Sequence, residues 1–257
     1  MAAGLQESRR SMRVETAGRV CERLPSWSAR RVGAAGLVAA IFGLSTGWAV
    51  DRLASDRLPK RRTGNQILSQ ADLIKTDIWK TFAAKGTVVM VGDSHTEYAD
   101  WQTMFPGVAI VNRGIGGDTT QSVLARLDTI LSVSATTAFV TIGTNDILRG
   151  DPLDQVKARY HAILDRLIGH GTRVVVTSTP LTTSRRTNTR IAELNADIAT
   201  YCGQRRCDFV DLNAAIGGDG VLSWGMTLDG VHLNGAGYLQ WAAMLAPHLR
   251  NEAGASH

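Results

Sequence analysis

A serine hydroxyl attacks a carbonyl carbon only when a neighbouring base accepts its proton, and an imidazole base works best when a carboxylate fixes its orientation. This 257-residue sequence contains residues suited to that chemistry in four short, polar, Gly-punctuated segments. They are Gly92-Asp93-Ser94-His95-Thr96, Asn112-Arg113-Gly114-Ile115-Gly116-Gly117-Asp118-Thr119-Thr120, Gly143-Thr144-Asn145-Asp146 and Asp229-Gly230-Val231-His232-Leu233-Asn234. Ser94 is the candidate nucleophile. His232 and Asp229, three residues apart, offer base and orienting carboxylate from one turn. A developing oxyanion needs donors, which the Ser94 N–H, a backbone N–H of the Gly-rich turn and the Asn145 amide supply.

Each segment also has a plain reading. A serine after a strand often caps a helix, Asp-x-x-His is a common surface turn, and Gly-Thr-Asn-Asp is good turn chemistry in itself. Other chemistries fit less well. Gly114-x-Gly116 lacks the third glycine of a dinucleotide fingerprint, no Gly-Lys-Ser/Thr phosphate loop occurs, and Ser94 lacks the second glycine of a Gly-x-Ser-x-Gly elbow. Neither a metal nor an organic cofactor is implied, since no Cys/His spacing resembles a zinc site.

These segments need a scaffold that brings them together. Short apolar runs at 87–91, 108–111, 137–142, 173–177 and 208–212 read as buried strands. Helical periods separate them. Residues 119–131 place Val123, Leu124, Leu127, Ile130 and Leu131 on one face as a single helix. After Asp151-Pro152, read as a cap and first turn, come Val156, Tyr160, Ile163 and Leu167. Ile191, Leu194, Ile198 and Tyr201 repeat the pattern, and a last helix begins near Asn234. A further amphipathic helix is predicted over 65–84, with Leu68, Leu73, Ile74, Ile78, Trp79 and Phe82 on its apolar face. Alternating strands and helices with continuous apolar strands give an α/β protein with a parallel sheet covered on both faces. In such folds ligands bind beyond the carboxyl ends of the strands, where the candidate segments begin.

Charge separates the catalytic body from a leader. The chain carries 28 Lys or Arg against 23 Asp or Glu, formally +5. Residues 1–50 hold seven Arg and three Glu, leaving 21 basic and 20 acidic residues in the rest. A nearly neutral body argues against a nucleic-acid-binding face. Residues 32–50 form an uncharged, mostly apolar run, and a helix of that length spans about 28 Å. The expected organisation is a basic tail (1–31), a transmembrane signal-anchor (32–50), a linker (51–64) and a catalytic domain (65–257). In this picture a single N-terminal membrane helix holds an extracytoplasmic domain. Secretion after signal cleavage is the alternative. Cys202 and Cys207 flank a short helix-to-strand turn, where a disulfide and two reduced thiols are both compatible with the spacing.

Together the four segments resemble the SGNH, or GDSL-type, esterase and lipase family across residues 86–250. The resemblance implies a three-layer α/β/α flavodoxin-like sandwich with a five-stranded parallel sheet. It also implies Ser94 as nucleophile, Asp229 and His232 as its partners, and Ser94, Gly117 and Asn145 as the oxyanion hole. Gly-Ile-Gly-Gly-Asp-Thr-Thr is similar to the platelet-activating-factor acetylhydrolase-like branch, which favours short acyl groups. His95 stands where the family name has Leu and is expected to modulate the pocket; His161, His170, His248 and His257 are expected to be structural. Trp101 and Trp224 either wall the pocket or pack. The implied substrate is a small acyl ester or an acylated glycan, the latter if the acyl group passes to a polysaccharide hydroxyl instead of water. A catalytically silent envelope-binding module is the remaining alternative, against which the intact residue set argues.

Overall fold

The computed structural model describes residues 68–249. The basic tail, the 32–50 run, the linker and the chain's last residues lie outside the described residues, so the membrane-anchor expectation falls there too. Among the described residues no helix is long and apolar enough to cross a membrane.

In chain order the elements are α1 (Gln70–Thr81), β1 (Val88–Gly92), α2 (Ser94–Tyr98), α3 (Trp101–Met104), β2 (Ile110–Gly114), α4 (Thr120–Ala125), α5 (Leu127–Leu131) and β3 (Thr137–Thr141). There follow α6 (Thr144–Arg149), α7 (Leu153–Gly169), β4 (Arg173–Thr177), α8 (Arg185–Gln204), β5 (Cys207–Val210), α9 (Asn213–Ile216), the two-residue strands β6 (Gly217–Gly218) and β7 (Val221–Leu222), and α10 (Gly235–Leu249).

The main sheet has five parallel strands in the order β2-β1-β3-β4-β5. That is the doubly wound flavodoxin-like order, whose switch point lies between β1 and β3. The register makes the strand ends level, because Gly92 pairs with Gly114 on one side and Thr141 on the other. The turns leaving β1, β2 and β3 therefore start at one height beside the switch point.

Alternation along the strands supplies two apolar faces. Val89, Val91, Val140, Val174 and Val176 pack with Val123, Leu127, Ile163, Leu167, Leu194 and Ile198 of the helices on one side. Val88, Met90, Phe139 and Val175 pack with Trp101, Ile216, Trp241 and Leu245 on the other. Both faces are dry, and the three-layer α/β/α sandwich results. Cys202 and Cys207 are joined by a disulfide across the turn between α8 and β5, with Cα atoms 4.8 Å apart.

The structure corrects several local expectations. The helix expected over 119–131 is two short helices, α4 and α5, broken at Arg126. Arg126 is buried, and its guanidinium donates to a carboxyl oxygen of Asp118 (2.7 Å) and to the Arg113 carbonyl (2.8 Å). A buried cation needs such partners, and their positions interrupt the helix. The second strand runs over 110–114 rather than 108–111, because its polar residues are used: Asn112 Nδ2 holds the Thr96 carbonyl at 3.0 Å. Asp151 makes no capping bond to α7. It accepts instead from Arg159 at 3.4 Å.

The largest correction concerns α1. Leu73, Ile74, Ile78 and Phe82 are exposed, while Asp72 and Thr76 are buried. The helix docks by its polar side because the surface beneath it presents cations. Arg113 lies 4.5 Å from the centre of the Trp79 ring, and Asp72 is 3.9 Å from Arg126. A buried guanidinium is stabilised by an aromatic face and a carboxylate, which an aliphatic side cannot supply.

Burial pushes the Asp118 carboxyl up to about 8; Arg126 opposes the rise and neighbouring Asp72 adds to it. The folded protein thus holds a proton that the unfolded chain releases near pH 4, so stability falls as pH rises between those values. Asp118→Asn is expected to flatten that fall in urea unfolding compared at about pH 5 and about pH 8. The same pH slope in wild type and variant would contradict the assignment.

Candidate active site

Ser94 follows β1 through a turn organised by Asp93, whose Oδ1 accepts the His95 N–H at 3.0 Å. As the first residue of α2, Ser94 has a backbone N–H that is not used within the helix. A side chain at Gly92 would collide with Thr96 and the Thr141 carbonyl, so the turn can lie against β3 only with glycine there.

The segment between β7 and α10 brings its residues to the same spot. His232 Nε2 lies 2.9 Å from Ser94 Oγ, 138 residues away in sequence. On the other side of the ring, Nδ1 is 2.7 Å from Asp229 Oδ2. Asp229 Oδ1 also accepts the His232 N–H (2.8 Å) and the Val231 N–H (2.9 Å). The His232 side-chain bond, followed by those backbone bonds, holds the Asp229 carboxyl well below the usual carboxylate range. An anion bonded at Nδ1 leaves Nε2 as the acceptor facing the serine, the tautomer that proton abstraction requires.

The loop after β2 completes the arrangement. A side chain at Gly116 would stand 3.8 Å from the Ser94 Cβ, so this loop passes directly beside the serine. The Gly116 N–H is already bonded to Glu97 Oε2 at 2.6 Å, whereas among the described residues no acceptor bonds the Gly117 N–H. Gly117 has φ +85°, a conformation that strains any other residue. Asn145, the second residue of α6, donates one amide hydrogen from Nδ2 to the Asp118 carbonyl at 2.9 Å, and among the described residues no acceptor bonds the other. The structure therefore brings Ser94, His232 and Asp229 into one hydrogen-bonded chain, with the Gly116 turn passing beside Ser94 and Asn145 bonded to Asp118, the residue after Gly117.

Supporting residues escaped the sequence reading. Asp146 accepts from the Thr120 N–H (2.9 Å) and hydroxyl (2.6 Å), and Arg149 donates to the Gly117 carbonyl at 2.6 Å. Asn145, Asp146 and Arg149 thus fasten the Gly-rich loop to α6. Glu97 is in turn paired with Lys75 of α1. Thr227 holds the turn that carries His232, its hydroxyl donating to the His232 carbonyl (2.6 Å) and accepting the Gly230 N–H (3.0 Å). A Thr two residues before Asp229 is a recognisable turn-former, the one signal that pointed to it. Trp101 packs: it is buried, donates to the Thr96 carbonyl at 2.9 Å and meets Trp241 edge-on. Trp224 is exposed, as is Tyr98, whose ring lies 5.5 Å from that of His232. His95 does not line the pocket. It is 1% exposed and turned beneath the turn. Among the described residues no group of three or more His, Cys, Asp or Glu is placed to hold a metal ion.

Residues 84–240 match the model of the GDSL-like Lipase/Acylhydrolase family. The chain belongs to this family. Platelet-activating factor acetylhydrolase IB subunit alpha1 of Bos taurus is 31% identical over 169 residues, covering 59% of this chain and 69% of that protein. N-acylneuraminate cytidylyltransferase of Streptococcus agalactiae serotype V is 26% identical over 155 residues, 60% of this chain. The chain spans only 36% of that relative's length. Among solved structures, a GDSL-like lipase from Bacteroides thetaiotaomicron VPI-5482 has the same fold, with TM-score 0.63 at 21% identity over 70% of this chain and 97% of its own.

Thr227→Val keeps the shape of the side chain but removes the bonds to His232 and Gly230. It is expected to cost about 1–3 kcal/mol in urea unfolding, because buried backbone groups lose their partner. A variant as stable as wild type would show that the turn holds itself without Thr227.

Proposed function

We propose that this GDSL-like protein is a serine esterase that hydrolyses short-chain acyl esters, acetyl esters foremost, through an acyl-enzyme. The observation that carries the reading is the continuous hydrogen-bonded chain from Ser94 Oγ through His232 to Asp229. The 31% identity to a platelet-activating factor acetylhydrolase subunit supports the short acyl group.

In the first step Ser94 Oγ forms a bond to the ester carbonyl carbon while its proton passes to His232 Nε2. Asp229, kept anionic by its three bonds to Val231 and His232, stabilises the imidazolium so formed. The carbonyl oxygen becomes an oxyanion held by the Ser94 N–H, the Gly117 N–H and Asn145. Collapse breaks the bond to the alcohol, which leaves with the proton from His232. Water then attacks the acyl-serine, gives its proton to His232, and the acid departs with Ser94 restored. A sugar hydroxyl in place of that water would make the same acyl-enzyme a transferase. Free acetic acid against acetylated acceptor distinguishes the two outcomes.

Turnover of p-nitrophenyl acetate by the full chain tests the reading. Ser94→Ala is expected to fall to the background rate, and retained turnover would sink the mechanism. Asn145→Ala is expected to lower kcat by about 10²–10³-fold with KM little changed, as for loss of one oxyanion donor. A rise in KM at constant kcat would assign Asn145 to ground-state binding instead.

A further inference from the structure

We propose that His95 is a positioning residue, whose buried imidazole joins the nucleophile turn to the base-bearing turn and so keeps His232 over the Ser94 hydroxyl. This rests on the reading of Ser94 and His232 given above. His95 Nδ1 lies 3.1 Å from Asp93 Oδ1, and Nε2 lies 2.9 Å from the carbonyl of Val231, the residue immediately before His232. Asp93 organises the turn that presents Ser94. Val231 is therefore held through both of its backbone polar groups: its N–H by Asp229 and its carbonyl by His95.

The backbone of His95 is fixed as well. Its N–H donates to Asp93, and its carbonyl accepts the Tyr238 hydroxyl at 2.8 Å, which brings in α10. The ring is not placed to act on the serine. Its centre is 5.4 Å from that of His232, and both its nitrogens are engaged elsewhere.

Those two engagements set its protonation. Both partners are oxygen acceptors, and a neutral imidazole has a single N–H to offer. An imidazolium donates to both and lies against the Asp93 carboxylate as a buried pair. The titratable groups facing it are Asp93 from its own turn, Asp229 and His232 from the segment before α10, and Tyr238 from α10. Burial opposes its charge, but the bond to Asp93, that carboxylate's field and the Val231 carbonyl outweigh burial and raise its pKa above the ordinary value. Leu, the residue in the family's name, could fill this space but would donate to neither oxygen.

Two measurements on the full chain test the assignment. Nitrogen-15 spectra of the histidine side chains are expected to show both His95 ring nitrogens protonated at neutral pH. In p-nitrophenyl acetate kinetics, His95→Leu is expected to lower kcat on the order of 10–100-fold, the cost of a base displaced by a fraction of its contact distance. KM should move less than about twofold, since the ester does not touch His95. His95→Gln retains an amide donor and should recover part of the loss. A bare ring nitrogen at His95, a folded Leu variant with wild-type kcat, or a Gln variant no better than Leu would overturn the proposal. Should the Leu variant not fold, the spectra and the Gln variant decide. Full turnover by Ser94→Ala would instead overturn the hydrolase reading, while the spectra would still report on the His95 bridge.

Discussion

The contact between Ser94 Oγ and His232 Nε2 joins residues 138 positions apart, and nothing local to either turn can produce it. Its geometry depends on where two segments end: the end of β1, and the loop that runs from β7 into α10. Parallel register places the ends of β1, β2 and β3 level, so the Ser94 turn and both flanking loops start together. The sheet order then opens the space beside β1 into which the His232 segment can reach. An inward shift of one residue in β1 would turn Ser94 to the opposite face and leave His232 without a partner.

Around that contact the protein spends polar groups freely, and almost all of them hold backbone. Asp93 and Thr227 shape the two turns, and Asp146 and Arg149 fasten the Gly-rich loop to α6. Glu97 occupies the Gly116 N–H, and among the described residues no acceptor bonds the neighbouring Gly117 N–H. Beneath the loop, Arg126 donates to the carbonyl of Arg113 at 2.8 Å and to Asp118 at 2.7 Å, so a buried cation underlies the site's floor. Donors aimed in advance at a developing charge need no rearrangement during reaction, which is what makes such a rigid surround useful.

Much of this was legible in the sequence. Continuous apolar runs such as TVVMV and TAFVTI identify strands buried on both faces, and the loop motifs single out Ser94, Asp229 and His232, which the fold brings within hydrogen-bond distance of one another. What escaped depends on pairings between distant residues. The apolar periodicity of α1 read as a core face, yet its neighbours Arg113 and Arg126 select Asp72 and Trp79 instead. The periodicity of 119–131 is continuous, but Arg126 interrupts it because its partners Asp118 and the Arg113 carbonyl fix its position. His95 beside Ser94 suggests a pocket residue, and only the distance to the Val231 carbonyl reveals its inward direction. Periodicity reports that a face is apolar; it does not report which cations lie opposite.

The central claim is that Ser94 is an activated nucleophile and not merely a capped serine in a turn. The most direct measurement is to treat the purified full chain with a fluorophosphonate and map the adduct by peptide mass spectrometry. One stoichiometric adduct on the Ser94 hydroxyl, lost in His232→Ala, is the expected result. No adduct, or one on another residue, or labelling that persists at full rate without His232, would contradict it.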